Sequence, residues 1–471
     1  MRFILSCLTV IWAAAAGVTG AAQQRGTYIP LAVPAGSAYP FPTAANRLIN
    51  IRDRQEAHEM RAHAWSIFSG LTQPIAGKSD TAAFATWFTK CDAFLNVKCP
   101  ESSDAKMELE IANTTRLMHA AEIPPQFLSD AENEFVANGR ISAKLLRAVA
   151  QANPLAIVLF NEEALSHIHK FRLWDSSELD SINKEFGYLG APVAEREIPP
   201  FPPKAVVLKT EWRIVPHKQG GSREVVWAWD TRRVFLQPPE SNSEGIAHHD
   251  GQGGWSRKYF VKLVEGECKP GIGDQKVPDI PLSCFFHFQL TDDDARGINE
   301  LVKEGVIAKA ASAGDYAILL GLHVITREIP DWTWATFWWH DHPNDGPYAE
   351  GRPDTVPPLW RNYLMDTTLS MRTPAESDGK EKICFNPYLE AFLENGLSSN
   401  CMNCHSRSVY PPVDFPAIPW RKDPQRFPQD SYYEGETSLS FLWSIRDNAS
   451  EGHRRFLQAF QLALQELQSG K

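Results

Sequence analysis

The sequence predicts an α+β protein in which a helical N-terminal domain precedes a mostly antiparallel, β-rich domain that carries a cysteine motif on a short C-terminal helix. Three observations support this class. Apolar residues recur at helical spacing before residue 198, they alternate with charged residues after residue 204, and the pentapeptide Cys401-Met402-Asn403-Cys404-His405 follows capping residues near the end of the chain. A proline-rich stretch over residues 197–203 divides the two patterns, because prolines disfavour helix.

The first residues have the features of an export signal. Arg2 precedes an apolar stretch over residues 3–16, and small residues follow at positions 20–22. We therefore expect residues 1–22 to be a signal peptide that is removed on export. The apolar stretch is short for a bilayer, so we expect no membrane span after cleavage, although an uncleaved anchor is the alternative.

Helical signals dominate residues 23–198, the predicted helical domain. Residues 51–68 contain few helix breakers and predict one continuous helix. Asn161 is a predicted N-cap with acidic residues in the first turn that follows it. Asp175 and Glu178 predict the start of another helix, which Gly187 ends.

The period changes to two in residues 204–471, the predicted β-rich domain. Residues 206–214 alternate between apolar and charged side chains, and further strands are expected at 225–229, 259–264 and 285–290. Residues 316–327 and 332–340 predict a hairpin whose turn is 328–331. Residues 454–467 place apolar side chains on one helical face and predict a final helix that docks on the protein.

Composition limits the classes of partner. A chain of 471 residues is long enough for two domains, and its net charge is −10. Its acidic balance argues against a nucleic-acid partner, because phosphates would repel it. No sequence motif of a hydrolase or a phosphate-binding loop occurs, so the catalytic residues of any enzyme activity stay unknown.

The pentapeptide at 401–405 is the pattern C-x-x-C-H, which attaches haem covalently. Cys401 and Cys404 are placed to form thioether bonds with the two vinyl groups of one porphyrin, and His405 to bind its iron. A thiol–disulfide redox pair and a zinc site remain alternatives. They fit less well, because no βαβ unit surrounds the motif and no second Cys/His pair occurs at zinc-finger spacing.

The motif resembles that of c-type cytochromes, and its position near the C-terminus is similar to that in the cytochrome c′ group and its β-sheet variants. Only Cys401, Cys404 and His405 carry over residue by residue. Residues 382–388, the Trp-rich sheet and the helical domain also resemble those of an exported, mono-haem, cytochrome c-like family. The resemblance implies one covalent haem c, with His405 as a metal ligand, in a bacterial protein that is periplasmic or secreted.

The expected function is electron transfer with a redox partner protein or a small-molecule electron donor or acceptor. The alternative is a haem enzyme of peroxidase or oxygenase type with an open or weakly ligated distal site, and a binding module with structural haem is a third class. No Met follows Met402, so the sixth iron ligand comes from upstream, comes from His453, or is absent.

The segment 332–342 is the best upstream candidate for the distal side of the haem. If it is extended, alternation places Trp338, His340 and His342 on one face, where they would bind the cofactor. His340 is the leading candidate for a second metal ligand and His342 is second. The alternative is that the tryptophans fill a sheet core and the histidines lie in a turn. His323 in the paired strand is expected to be a core histidine.

The remaining cysteines suit an oxidising compartment. Cys91 with Cys99 and Cys268 with Cys284 are short-range pairs that exported proteins commonly bridge. We therefore predict two disulfides, although the sequence does not fix their connectivity. Cys384 is left over and is expected to be a buried, apolar thiol.

Overall fold

The computed structural model describes residues 28–76, 78–95, 118, 120–122, 129–143, 146, 155–187, 196–217, 224–229, 255–269, 277–303, 310–344, 346–370, 384–390, 400–412 and 435–469. The predicted signal peptide and Cys99 lie outside these residues. The helices in this part of the chain are α1 Ala45–Asp53, α2 Ala57–Leu71, α3 Lys90–Ala93, α4 Ser129–Asn138, α5 Glu162–Phe171, α6 Ser176–Gly187, α7 Asp292–Lys303, α8 Pro387–Glu390, α9 Cys401–His405, α10 Trp443–Ala449 and α11 Glu451–Ser469.

Helices and antiparallel sheets together confirm the α+β class. The strands are β1 Pro74–Ile75, β2 Lys78–Ala82, β3 Phe88–Thr89, β4 Leu155–Phe160, β5 Val206–Val215, β6 Val225–Trp229, β7 Trp255–Lys262, β8 Asp279–Pro281, β9 His287–Gln289, β10 Tyr316–Thr326, β11 Thr333–Trp339, β12 Tyr363–Thr368, β13 Val409–Tyr410 and β14 Thr437–Ser438. The largest sheet has the order β12-β11-β10-β5-β4-β3, and β9 also pairs with β10.

The predicted hairpin is confirmed. Strands β10 and β11 pair antiparallel, with Thr326 opposite Thr333 next to the turn. Within this sheet His323 on β10 lies opposite Lys209 on β5 and opposite Thr336 on β11. Side chains at one register position point to one face, so these three residues share a face of the sheet.

The sheet continues across the boundary predicted near residue 200. Strands β3 and β4 come from the segment expected to be a helical domain, and β4 pairs with β5 along six register positions. All six residues of β4 are buried. A short, continuous apolar run of this kind has no period that separates a buried strand from a helix, which is why the sequence pattern missed it.

Two apolar cores lie on opposite faces of the sheet. Leu208 on β5 packs in the core that contains α2, where the rings of Phe68 and Phe337 stack with their centroids 4.0 Å apart. Val207, the adjacent residue, packs in the second core, which also holds Met402 of the cysteine motif. The alternation of the strand therefore separates the α2 face from the motif face.

The helix predictions are mostly confirmed. Asn161 caps α5 by accepting a hydrogen bond from the Ala164 amide at 3.0 Å, and α6 ends at Gly187. The expected single helix over residues 51–68 is two helices. They are interrupted at Gln55, whose φ of 58° is left-handed and ends α1. The final helix α11 buries Phe456 and Phe460 as predicted.

Candidate functional site

The cysteine motif forms its own short helix, α9. The side chain of Asn400 caps this helix by accepting a hydrogen bond from the Met402 amide at 3.0 Å. Met402 is fully buried in the core on the motif face. Cys401 and Cys404 are free thiols and both keep accessible surface. The cap and the buried Met402 together fix the helix so that its two thiols and His405 are presented from one turn.

His405 has one ring nitrogen available for a ligand bond. Its Nδ1 lies 2.8 Å from the carbonyl oxygen of Phe441. A carbonyl oxygen only accepts, so Nδ1 must carry the proton and Nε2 keeps its lone pair. Burial lowers the pKa of His405 to about 3, against the opposing effect of the hydrogen bond to Phe441. The ring is therefore neutral at physiological pH, which is the form that binds metals.

Aromatic side chains cover the imidazole. Trp334, the second residue of β11, meets His405 edge-on with the ring centroids 4.8 Å apart. Phe441, whose backbone accepts the hydrogen bond from His405, contacts Trp334 with the centroids 5.7 Å apart. Together they give one side of the motif an apolar wall.

Acid and base groups share this face of the sheet. Lys209 and His323 both interact electrostatically with His405. The Nε2 of His323 lies 2.5 Å from Oε1 of Glu390 on α8. Glu211, two residues along β5 from Lys209, is 2 % exposed, and its Oε2 has no hydrogen-bond partner among the residues that the structure describes. Burial raises the pKa of Glu211 to about 8, so this carboxyl is protonated at neutral pH.

Burial changes the pKa values of the groups nearest the motif. Lys209, Cys404 and His405 each keep some accessible surface, although each is deeply surrounded by protein. Burial also lowers the pKa of Lys209 and raises the pKa of Cys404 to about 11, so both groups are held toward their neutral forms.

The predicted distal histidines do not lie at the motif. His340 is buried, its Nε2 donates to the carbonyl oxygen of Trp229 at 2.8 Å, and its Nδ1 accepts from the His342 amide at 3.0 Å. Both ring nitrogens are therefore engaged in hydrogen bonds in this structure, so the predicted role of His340 as a metal ligand would require these bonds to break. Six residues of strand separate His340 from Trp334, a distance of about 20 Å.

The other two residues predicted for this face are also distant. The side chain of His342 is 51 % exposed and lies beside Asp341, with 3.4 Å between Nε2 and Oδ2. Trp338 packs on Tyr348 with the ring centroids 5.1 Å apart. Strand β11 therefore reaches the motif at its first residues and not at Trp338, His340 and His342. Trp334 and Trp338 pack in different cores, so alternation along β11 did not identify the residues that lie at the motif.

His453, the remaining candidate for the sixth ligand, is held by a partner of its own. Its Nδ1 lies 2.9 Å from Oε1 of Glu132 on α4. Of the upstream bases, Lys209 and His323 interact with His405. No sequence pattern predicted that Lys209 and His323 lie near His405. The sheet register brings these two residues opposite one another from positions more than a hundred residues apart.

The cysteines differ from the predicted pattern. Cys268 and Cys284 are free thiols, so the disulfide predicted between them is not formed in this structure. They are nevertheless neighbours, because a hydrogen bond between the two thiols lowers the pKa of Cys268 to about 7. Cys91 is disulfide-bonded, but Cys99 lies outside the described residues, so that pairing stays a prediction. Cys384 lies beside the motif, with its sulfur 3.7 Å from that of Cys401.

The chain matches no known protein family, no curated protein and no solved structure. Within the part of the chain that the structure describes, no three His, Cys, Asp or Glu side chains gather as a metal site. None of the described helices combines the length and the apolar character needed to cross a bilayer. Inference about function therefore depends on the site itself.

Proposed function

We propose that this protein is a c-type cytochrome that binds one haem c through Cys401, Cys404 and His405 and transfers electrons. The observation that carries the proposal is the hydrogen bond from Nδ1 of His405 to the Phe441 carbonyl oxygen. A histidine that binds a metal through Nε2 characteristically donates a hydrogen bond from its Nδ1–H to a carbonyl or carboxylate oxygen. This bond orients the ring and fixes its tautomer.

The residues present fit a covalent haem. Two thiols three positions apart on one turn, followed by a neutral imidazole, are the donor set that this attachment requires. The apolar wall of Trp334 and Phe441 suits the edge or face of a porphyrin. Cys401, Cys404 and His405 all keep accessible surface, which attachment of a cofactor requires.

Haem, when bound, supplies an iron that changes its charge by one electron. The chain would hold the haem iron through the imidazole of His405, whose ring the Phe441 carbonyl oxygen keeps in one orientation. Burial keeps this imidazole neutral and able to bind. The protonated Glu211 adds no negative charge at neutral pH, so it does not further favour the oxidised state.

The site belongs, in this proposal, to a periplasmic or secreted protein whose partner is a redox protein or a small electron donor or acceptor. Attachment at a C-x-x-C-H motif takes place after export, which agrees with the predicted signal peptide. The acidic net charge of −10 suits a basic partner surface.

A haem enzyme of peroxidase or oxygenase type is the second candidate, and one observation favours it. Lys209, Glu211 and His323 are titratable groups on the sheet face that holds the motif, and Glu211 keeps a proton at neutral pH. Such groups are able to deliver protons to a small molecule bound at an open iron position.

Absorption spectra of the oxidised and reduced holoprotein, with and without carbon monoxide, test the proposal. We expect a reversible one-electron reduction and a reduced spectrum that carbon monoxide leaves unchanged. Rapid carbon monoxide binding would instead support the second candidate, a haem enzyme with an open iron position. The variant His405→Ala should lose the wild-type spectrum, whereas His217→Ala, a control histidine paired with Asp315, should keep it. A spectrum that His405→Ala leaves unchanged would contradict the proposal.

A further inference from the structure

Cys384 lies against one of the two motif cysteines. An isolated parallel β-bridge joins Cys384 to Asn400, the cap of α9, and so holds the backbone of Cys384 beside the start of the motif. The sulfurs of Cys384 and Cys401 are 3.7 Å apart, and the Cys401 thiol donates to the Cys384 carbonyl oxygen at 3.3 Å. Cys384 is 1 % exposed, whereas Cys401 keeps accessible surface.

We propose that Cys384 and Cys401 form a disulfide in the haem-free protein, and that this bond must be reduced before haem is attached at Cys401. The first part stands on the geometry of the two thiols alone. The second part rests on the proposed function, because only covalent haem attachment needs the Cys401 sulfur.

The geometry requires little movement. A disulfide bond is about 2.05 Å long, so the two sulfurs must approach by less than about 2 Å. Rotation of the side chains supplies a movement of this size, since the β-bridge already holds the two backbones next to each other. The bond would tie α8, which begins three residues after Cys384, to the start of α9.

The chemistry balances with a disulfide-bonded thiol oxidoreductase as the oxidant. The thiolate of Cys401 attacks one sulfur of the oxidant, which forms a mixed disulfide and releases the other sulfur of the oxidant as a thiol. The thiolate of Cys384 then attacks the Cys401 sulfur, which forms the Cys384–Cys401 bond and releases the first sulfur of the oxidant as a thiol. Two electrons and the two thiol protons end on the two sulfurs of the oxidant. Haem attachment is the addition of a thiol S–H across a vinyl C=C bond, which involves no net oxidation. The Cys401 sulfur serves only one of these two bonds at a time, so a reducing dithiol must first restore its thiol.

Peptide mapping of the exported, full-length protein tests the first part. The protein is made without the haem-attachment machinery, equilibrated with oxidised glutathione, quenched with acid, alkylated and digested without reduction. We expect the Cys384 peptide to be linked to the Cys401 peptide, and Cys404 to be alkylated. A Cys401–Cys404 bond, or alkylation of Cys384 and Cys401 in most molecules, would overturn the proposal.

The variant Cys384→Ser tests the second part in cells that attach haem. We expect wild-type protein to gain covalent haem severalfold when a dithiol reductant is added, and Cys384→Ser to be fully loaded without it. Cys268→Ser, which changes another free thiol, should behave like the wild type. Equal, reductant-independent loading of wild type and Cys384→Ser would exclude the competition. Absence of haem from every variant would instead refute the proposed function, and the peptide map would still decide whether the disulfide forms.

Discussion

Replacing Trp334 with Ala should damage both the fold and the motif. Trp334 is 3 % exposed, it packs on His405 and Phe441, and its Nε1 donates to the Asp331 carbonyl oxygen at 2.9 Å. Removing a buried tryptophan leaves a cavity, so the free energy of unfolding should fall by about 3–5 kcal/mol. The cavity would lie directly against the imidazole of His405, so water would reach that ring.

The matched control is Trp338→Ala, which removes the same side chain from the same strand. Trp338 is 2 % exposed and lies about 13 Å further along β11. Urea unfolding should give losses of similar size for both variants. The absorption spectrum of the holoprotein should change only in Trp334→Ala. A spectral change in Trp338→Ala alone, or equal changes in both, would refute the placement of the haem at the first residues of β11.

Three further predictions concern buried polar groups. Burial raises the pKa of Glu328, but His63 at 2.9 Å and its other hydrogen bonds hold it below the usual 4.5, so the stability that Glu328 contributes should disappear as the pH falls below about 4.5. Glu328→Gln should therefore cost about 3 kcal/mol in urea unfolding at pH 7 and should flatten this pH dependence. Glu211 is ionised above about pH 4.5 in the unfolded chain but stays protonated up to about pH 8 in the folded protein. The free energy of unfolding should therefore decrease as the pH rises from about 4.5 to about 8, and Glu211→Gln should remove this decrease. His340→Ala should lower the free energy of unfolding by about 1–3 kcal/mol and leave the absorption spectrum of the holoprotein unchanged. His323→Ala should alter that spectrum or the affinity for carbon monoxide. The reverse pattern would contradict the site geometry.

Local patterns predicted the parts of this protein that depend on neighbours in sequence. The cap at Asn161, the hairpin of β10 and β11 and the short helix of the motif each follow from a few adjacent residues. The predicted boundary near residue 200 did not separate the sheet, because β4 pairs across it with β5. Pairing between distant strands depends on packing of the whole core, which no short window of sequence contains.

The candidate site divides in the same way. Cys401, Cys404 and His405 were recognisable because their chemistry lies in five consecutive residues. Their surroundings come from the register of β5 and β10 and from the approach of residue 441, so neither the Phe441 carbonyl nor Lys209 was predictable. The choice of His340 shows the limit of alternation. It does not tell which end of a strand reaches a helix that folds back from the end of the chain.

Covalent haem is the central claim, and mass spectrometry of the denatured protein tests it most directly. The protein should be expressed in cells with the haem-attachment machinery, unfolded in acid and digested. We expect one haem per chain on the peptide that contains Cys401 and Cys404, with single attachment in Cys401→Ala and Cys404→Ala and none in the double variant. A peptide of unmodified mass from protein made in these cells, or haem that acid–acetone extracts completely, would contradict the claim.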